Sequence, residues 1–327
     1  MNIRAAGLVI GLLLTGAGLL GSIALGKTAV PLSVALDALT AFDHESREHL
    51  LIRTVRLPRA LIAMTVGACL AMAGAVMQAI TRNPLAGPEL FGVSQGAALL
   101  VVLHIFVWGG VSPGGHIGFA FLGAGLAGLA VYVLGSIGGG GLTPLKLILA
   151  GSVINLLFAS LTQGILVFDE QSLDTMRFWL AGSLTGRNIE LFYQVLPFML
   201  TGLIGTLALS KQVNVISLGE DAARSLGLRT EWVKAGSLLA VVVLAGSSVA
   251  IAGPIGFVGL AVPHIVRSIA GPDYRWVIPY SAVAGAVLLL LADIAARFAV
   301  PAQEVPAGIV TALLGAPFLI YLAQRRS

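Results

Sequence analysis

Apolar runs long enough to cross a lipid bilayer recur from one end of this 327-residue chain to the other. A helix rises about 1.5 Å per residue, so roughly 20 apolar residues span about 30 Å of hydrocarbon. On that measure spans are predicted at 5–25, 60–80, 91–109, 117–136, 146–168, 190–209, 234–252, 256–270, 276–296 and 306–323. The eighth is short and is interrupted by Pro263. The expected fold class is therefore all-α: a polytopic membrane protein of about ten transmembrane helices, forming a single domain over 1–327.

Composition agrees. Hydrophobic residues make up 57% of the chain and charged residues 10%, against about 25% charged in a soluble domain. Such a chain cannot cover its surface in water and must use lipid as solvent. Its 41 glycines suit a membrane interior, where small residues let helix backbones approach closely. The stretch from Ala5 to Leu25 follows Arg4 as a signal peptide would. It exceeds the usual apolar core of about 7–15 residues, and no small-x-small cleavage site follows, so it reads as a retained first helix. The net charge of +4 is scattered, which argues against nucleic acid as a partner. The single cysteine, Cys69, lies in an apolar run and reads as a structural thiol.

Ten spans put both termini on one side. With that side cytoplasmic, the inner loops hold Arg4, Arg82, Lys146, Lys211, Arg224, Arg229, Lys234, Arg267, Arg275, Arg325 and Arg326. The outer side holds Lys27, Arg47, Arg53, Arg56, Arg59, Arg177, Arg187 and Arg297. The excess of basic residues favours cytoplasmic ends. The longest outer segment, 27–58, is too small to fold alone, and its charges suit a short surface helix. The inner loop 210–233 is the one sizeable cytoplasmic feature. Ala86-Gly87-Pro88-Glu89-Leu90-Phe91-Gly92-Val93 is echoed at Ala252-Gly253-Pro254-Ile255-Gly256-Phe257-Val258-Gly259 on the opposite face. An inverted repeat of two halves, about 1–189 and 190–327, predicts this echo; chance resemblance between Gly-Pro turns explains it equally well.

Four features invite functional readings. Arg53, Arg56 and Arg59 cluster at the outer mouth of the second span, where insertion alone does not call for basic residues. They read either as a docking patch for an acidic partner or anionic solute, or as snorkelling side chains. Asp293 and Arg297 are four apart on one helix and suit an internal salt bridge, with Arg297 also available to the outer patch. The run Thr81-Arg82-Asn83-Pro84-Leu85-Ala86-Gly87-Pro88 turns the chain sharply, as either a rigid loop or a constriction bearing Asn83 and Leu85. The segment from Leu218 to Leu228 reads as a short exposed helix. Glu220 and Asp221 begin it, Glu220 pairs with Arg224, Ala222, Ala223 and Leu226 form an apolar face, and Gly227 stops it. Such a helix suggests a cytosolic partner, with a capping loop as the alternative.

Enzyme signals are missing. There is no GK[ST] phosphate loop, no HExxH and no spaced Cys/His set, so no cofactor or metal is expected and any use of ATP must come from another chain. The five histidines, His44, His49, His104, His116 and His264, are dispersed along the chain, and His264 reads as a packing residue.

Taken together, Arg56-Leu57-Pro58-Arg59, Asn83-Pro84-Leu85-Ala86, the Leu218 to Leu228 loop, Gly256-Phe257-Val258-Gly259-Leu260 with Pro263-His264, Ala292-Asp293 through Arg297, and Leu314-Gly315-Ala316-Pro317 resemble the FecCD family of ABC-importer permeases. The resemblance covers nearly the whole chain. It implies ten helices per subunit, two identical or paralogous permease subunits around one pathway, two cytosolic ATPases, and a periplasmic or lipoprotein binding protein. It also implies a multi-pass protein of the bacterial cytoplasmic membrane. By position, Arg56, Arg59 and Arg297 would pair with glutamates of the binding protein. Glu220, Asp221, Ala222, Ala223, Arg224 and Leu226 would form the element seated on the ATPase. Asn83 and Leu85 would belong to an inner gate, Thr143, Pro144 and Leu145 to a second gate element, and Trp179-Leu180-Ala181-Gly182-Ser183-Leu184 to a short helix near the outer vestibule. The cargo implied is a ferric siderophore or related iron chelate, with cobalamin or haem as the alternative. A secondary carrier would need paired carboxylates or a proton relay at mid-membrane depth, and Gln78, Asn155 and Gln163 are isolated. An intramembrane enzyme would need a nucleophile–base or metal motif.

Overall fold

The computed structural model describes residues 3–109, 113–138, 142–300 and 303–324. Among them every regular element is helical: α1 (Ile3–Ala24), α2 (Leu32–Thr40), α3 (Arg47–Leu51), α4 (Leu57–Thr81), α5 (Val93–Trp108), α6 (Pro113–Ser136), α7 (Pro144–Phe168), α8 (Glu170–Leu180), α9 (Ile189–Ala208), α10 (Ser210–Ile216), α11 (Glu220–Ser225), α12 (Thr230–Ala252), α13 (Val258–Ala270), α14 (Tyr274–Phe298) and α15 (Ala307–Gln324). A π-helical turn, Ile52–Arg56, joins α3 to α4, and a 3-10 turn, Pro88–Phe91, precedes α5.

Each of the ten predicted spans corresponds to a helix: α1, α4, α5, α6, α7, α9, α12, α13, α14 and α15. Seven are long and apolar enough to cross a membrane, whereas α5, α13 and α15 contribute shorter apolar stretches. Local chemistry sets many of the ends. Thr143, Asp169, Asn188 and Asp273 cap α7, α8, α9 and α14 with side-chain oxygens that accept backbone N–H groups, which satisfies donors a helix start leaves unpaired. Pro58 and Pro144 sit in first turns, where their missing N–H costs nothing. Arg82 ends α4 in the left-handed region, at φ 48°. The outer segment forms α2 and α3 rather than one surface helix, and α3 runs through the π turn into α4, so that Arg47–Thr81 is one 35-residue rod.

Burial orders the bundle. In their most apolar stretches α4 and α12 are 78% and 72% buried, whereas α1 is only 11% buried. The first two are therefore the core, and α1 lies on the outside with Val9, Ile10, Leu12 and Leu13 exposed to the surroundings. Glycine decides how closely α4 meets its neighbours. A Cβ on Gly67 would collide with the carbonyl oxygen of Gly285 in α14, and one on Gly285 would collide with that of Gly67. Gly74 meets Gly259 of α13 in the same way. Backbones pack directly there, as small residues permit in lipid.

The 25 residues of α4 set its two ends about 37 Å apart at 1.5 Å per residue. Arg56 and Arg59 stand at one end, where α1 and α14 finish or turn. Arg82 stands at the other, beside Gly219 and the start of α11. Arg325 and Arg326, counted with the inner charges in the sequence, lie outside the described residues.

Candidate functional site

At the first end, three arginines expected to face outward are turned into the protein. Arg56 is 5% exposed and donates to the carbonyls of Ile23 (2.9 Å), Ala24 (2.9 Å) and Thr28 (2.5 Å), and to Thr28 Oγ1 (3.0 Å). It therefore caps the last, otherwise unpaired carbonyls of α1. Arg59 donates Nε to Asp293 (2.8 Å) and Nη1 to Glu304 (2.6 Å). Arg297 donates to Asp293 (2.6 Å), to the Ser22 and Leu25 carbonyls (2.6 and 2.8 Å) and to Ser22 Oγ (2.7 Å). The Asp293–Arg297 pair read from spacing is present, and Asp293, fully buried, serves Arg59 as well. The physical reason is competition: a carboxylate and several helix-end carbonyls lie within reach, and a buried guanidinium must satisfy its donors. Of the cluster, Arg53 is the exposed member, its guanidinium 4.4 Å from the Phe42 ring centroid.

Behind this rim lies a cavity of about 790 Å³ whose walls include Val101, His116, Met176, Trp179, Arg177 and Arg187. Thr185, Gln303 and Glu304 complete its polar side. The 179–184 turn that forms one wall is locked by backbone contacts. Gly308 N–H donates to the Gly182 carbonyl (2.9 Å), and a Cβ on Gly253 would collide with the Trp179 carbonyl oxygen. Burial pushes the Glu304 carboxyl up, but the hydrogen bond and charge of Arg59, with Thr185 and Lys27, outweigh this and hold it below its usual range. Histidines dispersed in sequence meet here: the His104 and His116 rings are 5.8 Å apart, and His104 stacks on Phe119 at 4.1 Å. No group of three or more His, Cys, Asp or Glu able to hold a metal occurs among the described residues.

At the far end the chain from Arg82 to Gly92 forms a compact turn. Asn83 Oδ1 accepts the Leu85 N–H (3.0 Å) and the Asn83 carbonyl accepts the Ala86 N–H (3.1 Å), leaving Leu85 exposed. This loop is fastened to α7. Asn155 Nδ2 donates to the Glu89 carbonyl (2.9 Å), and Gly151 lies directly under the Leu90 carbonyl. The start of α7 holds the second predicted element: Thr143 Oγ1 accepts the Lys146 N–H (3.4 Å), Pro144 occupies the first turn, and Leu145 is exposed.

The predicted partner-seeking helix is α11, with Asp221, Ala222, Arg224 and Leu226 exposed. Glu220 pairs with Arg224 at 2.9 Å, as the spacing implied, and Gly227 adopts φ 79° at its stop. Ala223 departs from expectation: it is fully buried, and the apolar face left open consists of Leu218, Ala222 and Leu226. A six-residue helix presents fewer than two turns, so its middle residue faces the body it packs on. Lys234, on α12, completes the arrangement. Its Nζ donates to Glu220 (2.7 Å) and to the Leu142 carbonyl (2.8 Å), immediately before Thr143. The hydrogen bond from Lys234 is foremost in holding the Glu220 carboxyl below its usual range; partial burial opposes it, and the charges of Lys234 and Arg224 assist.

Two residues thus acquire roles that sequence reading did not assign. Lys234 ties α11 to the start of α7, and Asn155, isolated in sequence, ties α7 to the 82–92 turn. The available signals were weak ones: a lysine just inside an apolar run, and an amide in mid-span, each needing a partner.

Comparison with known proteins identifies the family to which the whole chain is similar. The profile of the FecCD transport family matches residues 12–325. The chain is 46% identical over 304 residues to the Bacillus subtilis (strain 168) protein named "Probable siderophore transport system permease protein YfiZ", covering 93% of this chain and 91% of that one. It is 43% identical over 317 residues to the Fe(3+)-citrate import system permease protein YfmD of the same organism, covering 97% and 94%. A solved structure described as "An inward-facing conformation of a putative metal-chelate type ABC transporter" superposes with a TM-score of 0.85 at 31% identity, covering 98% of this chain and 99% of the other.

Proposed function

Since the chain belongs to the FecCD transport family, we propose that it is the membrane channel subunit of an ATP-binding-cassette importer that carries a ferric siderophore or related iron chelate into the cytoplasm. ATP hydrolysis belongs to separate cytosolic ATPase subunits, the cargo arrives on a binding protein, and a second permease subunit completes the pathway. The protein lies in the cytoplasmic membrane with both termini inside. Two relatives named for siderophore and Fe(3+)-citrate transport favour iron chelates over cobalamin or haem as cargo. The exposed leucines Leu145, Leu149, Leu156 and Leu157 along α7 support an apolar neighbour, lipid or the second subunit.

The observation that carries this reading is the bonded path from α11 to α7. The ATPase seats on Leu218, Ala222 and Leu226. Glu220 then transmits its movement through Lys234 to the chain before Thr143-Pro144-Leu145, and α7 carries it through Asn155 to the turn bearing Asn83 and Leu85. ATP-driven closure biases the equilibrium between inward- and outward-open states only if contacts differ between them, and the exposed Leu85 and Leu145 are the side chains free to change partners. At the outer face, Arg56, Arg59 and Arg297 shape the docking rim by holding α1, α14 and Glu304 together, and exposed Arg53 offers the charge an acidic lobe meets first. A secondary carrier is disfavoured because the buried carboxylate Asp293 is committed to two arginines.

Reconstitution tests it. The chain, purified with its ATPase and supplied with the binding protein and ferric siderophore, should accumulate iron in proteoliposomes only when ATP is present on the α11 side. Accumulation driven by an ion gradient without ATP would refute the proposal.

A further inference from the structure

The outer cavity carries a charge that its own walls do not neutralise. Three side chains of the Arg, Lys, Asp and Glu types line it: Arg177, Arg187 and Glu304. Glu304 is committed to Arg59 at 2.6 Å and accepts the Thr185 hydroxyl at 2.9 Å. Arg177 has a carboxylate at 3.6 Å, Asp174, and lies over the Phe178 ring. Arg187 has neither. Its Nε is buried without a hydrogen-bond partner, and among the described residues it makes no ion pair. It follows Gly186, whose φ of 74° bends the chain, and precedes Asn188, the cap of α9. Two fixed backbone features therefore hold it at the junction of the large cavity with a smaller outer groove of about 190 Å³, which it also lines.

A half-buried guanidinium with an unsatisfied donor is costly unless something visits it, and burial alone already pushes this arginine's pKa down. We propose that Arg187 is the anion subsite of the outer cavity, contacting a carboxylate or catecholate oxygen of a negatively charged ferric chelate and so favouring such cargo over neutral chelates. This inference rests on the transport reading above and names the charge class of its cargo. The cavity size fits: sites for ligands of this scale run from about 300 to 1,000 Å³. Trp179 and Met176 supply apolar surface for the organic shell of the chelate, and Arg187 the two-pronged donor for its anionic edge. A lobe of the binding protein is the other source of an anion; Val101, Met176 and Trp179 wall the cavity side of Arg187, and capture of the binding protein by the variants separates the two.

Trp179 provides the reporter once the other three tryptophans, Trp108, Trp232 and Trp276, are replaced by phenylalanine in every protein compared. The full chain in lipid nanodiscs is titrated with two iron complexes, a trianionic ferric tricatecholate and a neutral ferric trihydroxamate, and tryptophan quenching is followed. Wild type should bind the trianion about 10-fold more tightly, the worth of one charge-assisted contact, and added salt should narrow the difference. Arg187→Gln should abolish the preference, while Arg187→Lys should retain most of it and its salt sensitivity. Equal affinities in wild type, or a preference that survives in Arg187→Gln, overturn the proposal. So does an Arg187→Gln protein that keeps the preference but fails to capture the binding protein, which would assign the residue to docking. Should Arg187→Gln fail to fold, the lysine variant and the salt series decide: a salt-insensitive preference counts against the subsite. ATP-driven uptake of both complexes by the reconstituted transporter separates the two levels. No uptake of either refutes the transport reading, whereas uptake of both at wild-type rates in Arg187→Gln, with unchanged discrimination, refutes only the subsite.

Discussion

Replacing Lys234 with methionine tests the proposed coupling path at its narrowest point. Methionine preserves most of the apolar stem but removes the charge and both donated hydrogen bonds, at 2.7 Å to Glu220 and 2.8 Å to Leu142. A hydrogen bond to a charged group contributes about 1.5–3 kcal/mol. The lower part of that range applies, because the Lys234 side chain is 7% exposed and its removal also relieves a desolvation cost. Arg224 remains 2.9 Å from Glu220, but its side chain is 57% exposed, and such pairs contribute roughly 0–1 kcal/mol. The expected net loss is about 1.5–2 kcal/mol of coupling, or about 10- to 30-fold at 1.4 kcal/mol per decade. The assay is iron accumulated per ATP hydrolysed in proteoliposomes, for wild type, Lys234→Met, Glu220→Gln and the double variant. If the two residues act as one link, the double variant should be little worse than either single one. Additivity within about 0.5 kcal/mol, or undiminished uptake in Lys234→Met, would refute the path.

Other perturbations follow from the same contacts. Asp293→Ala should destabilise the detergent-solubilised protein by about 3 kcal/mol, the low end for breaking a buried pair, because two guanidinium groups lose the carboxylate they share while Arg59 keeps Glu304 and Arg297 keeps the Ser22 and Leu25 carbonyls; a thermal-unfolding midpoint equal to wild type would disprove the network. Leu226→Asp should release the ATPase during co-purification while leaving the permease folded, since Leu226 is exposed; full retention would argue against that face. Gly67→Ala should separate α4 from α14 at a cost of about 1–3 kcal/mol, measurable by chemical denaturation and absent if the backbones do not touch. Glu220 has a depressed pKa, so its contribution to holding α11 is complete above the ordinary carboxylate pKa of about 4.3 and is lost as pH falls through the lower folded value. Retention of the ATPase should therefore be flat between about pH 6 and 8 as far as Glu220 is concerned; a change in this window that Glu220→Gln abolishes would contradict the assignment.

The legibility of the molecule varied with the range of the interaction involved. Ten apolar helices were readable from run length, seven of them long enough to cross a membrane, since hydrophobic thickness is a local property of consecutive residues. The Asp293–Arg297 and Glu220–Arg224 pairs were readable for the same reason: helical spacing brings positions four apart together. The division of 27–58 into α2, α3 and a π turn was not, because those segments take their conformations from contacts with α1 and α4 as well as from their own sequence.

Side-chain destination was decided elsewhere. Arg59 and Asp293 are 234 residues apart, and Arg297 reaches Ser22 across 275. Nothing local distinguishes an arginine that points to solvent from one that caps the carbonyls of another helix. The same holds for Lys234 between Glu220 and Leu142, and for Arg187 at the edge of a cavity. Length and polarity of each segment follow from residues adjacent in the chain, so they can be read along it. Which buried donor finds which acceptor depends on the way helices cross, and that is set only when close contacts such as Gly67 against Gly285 bring distant segments together.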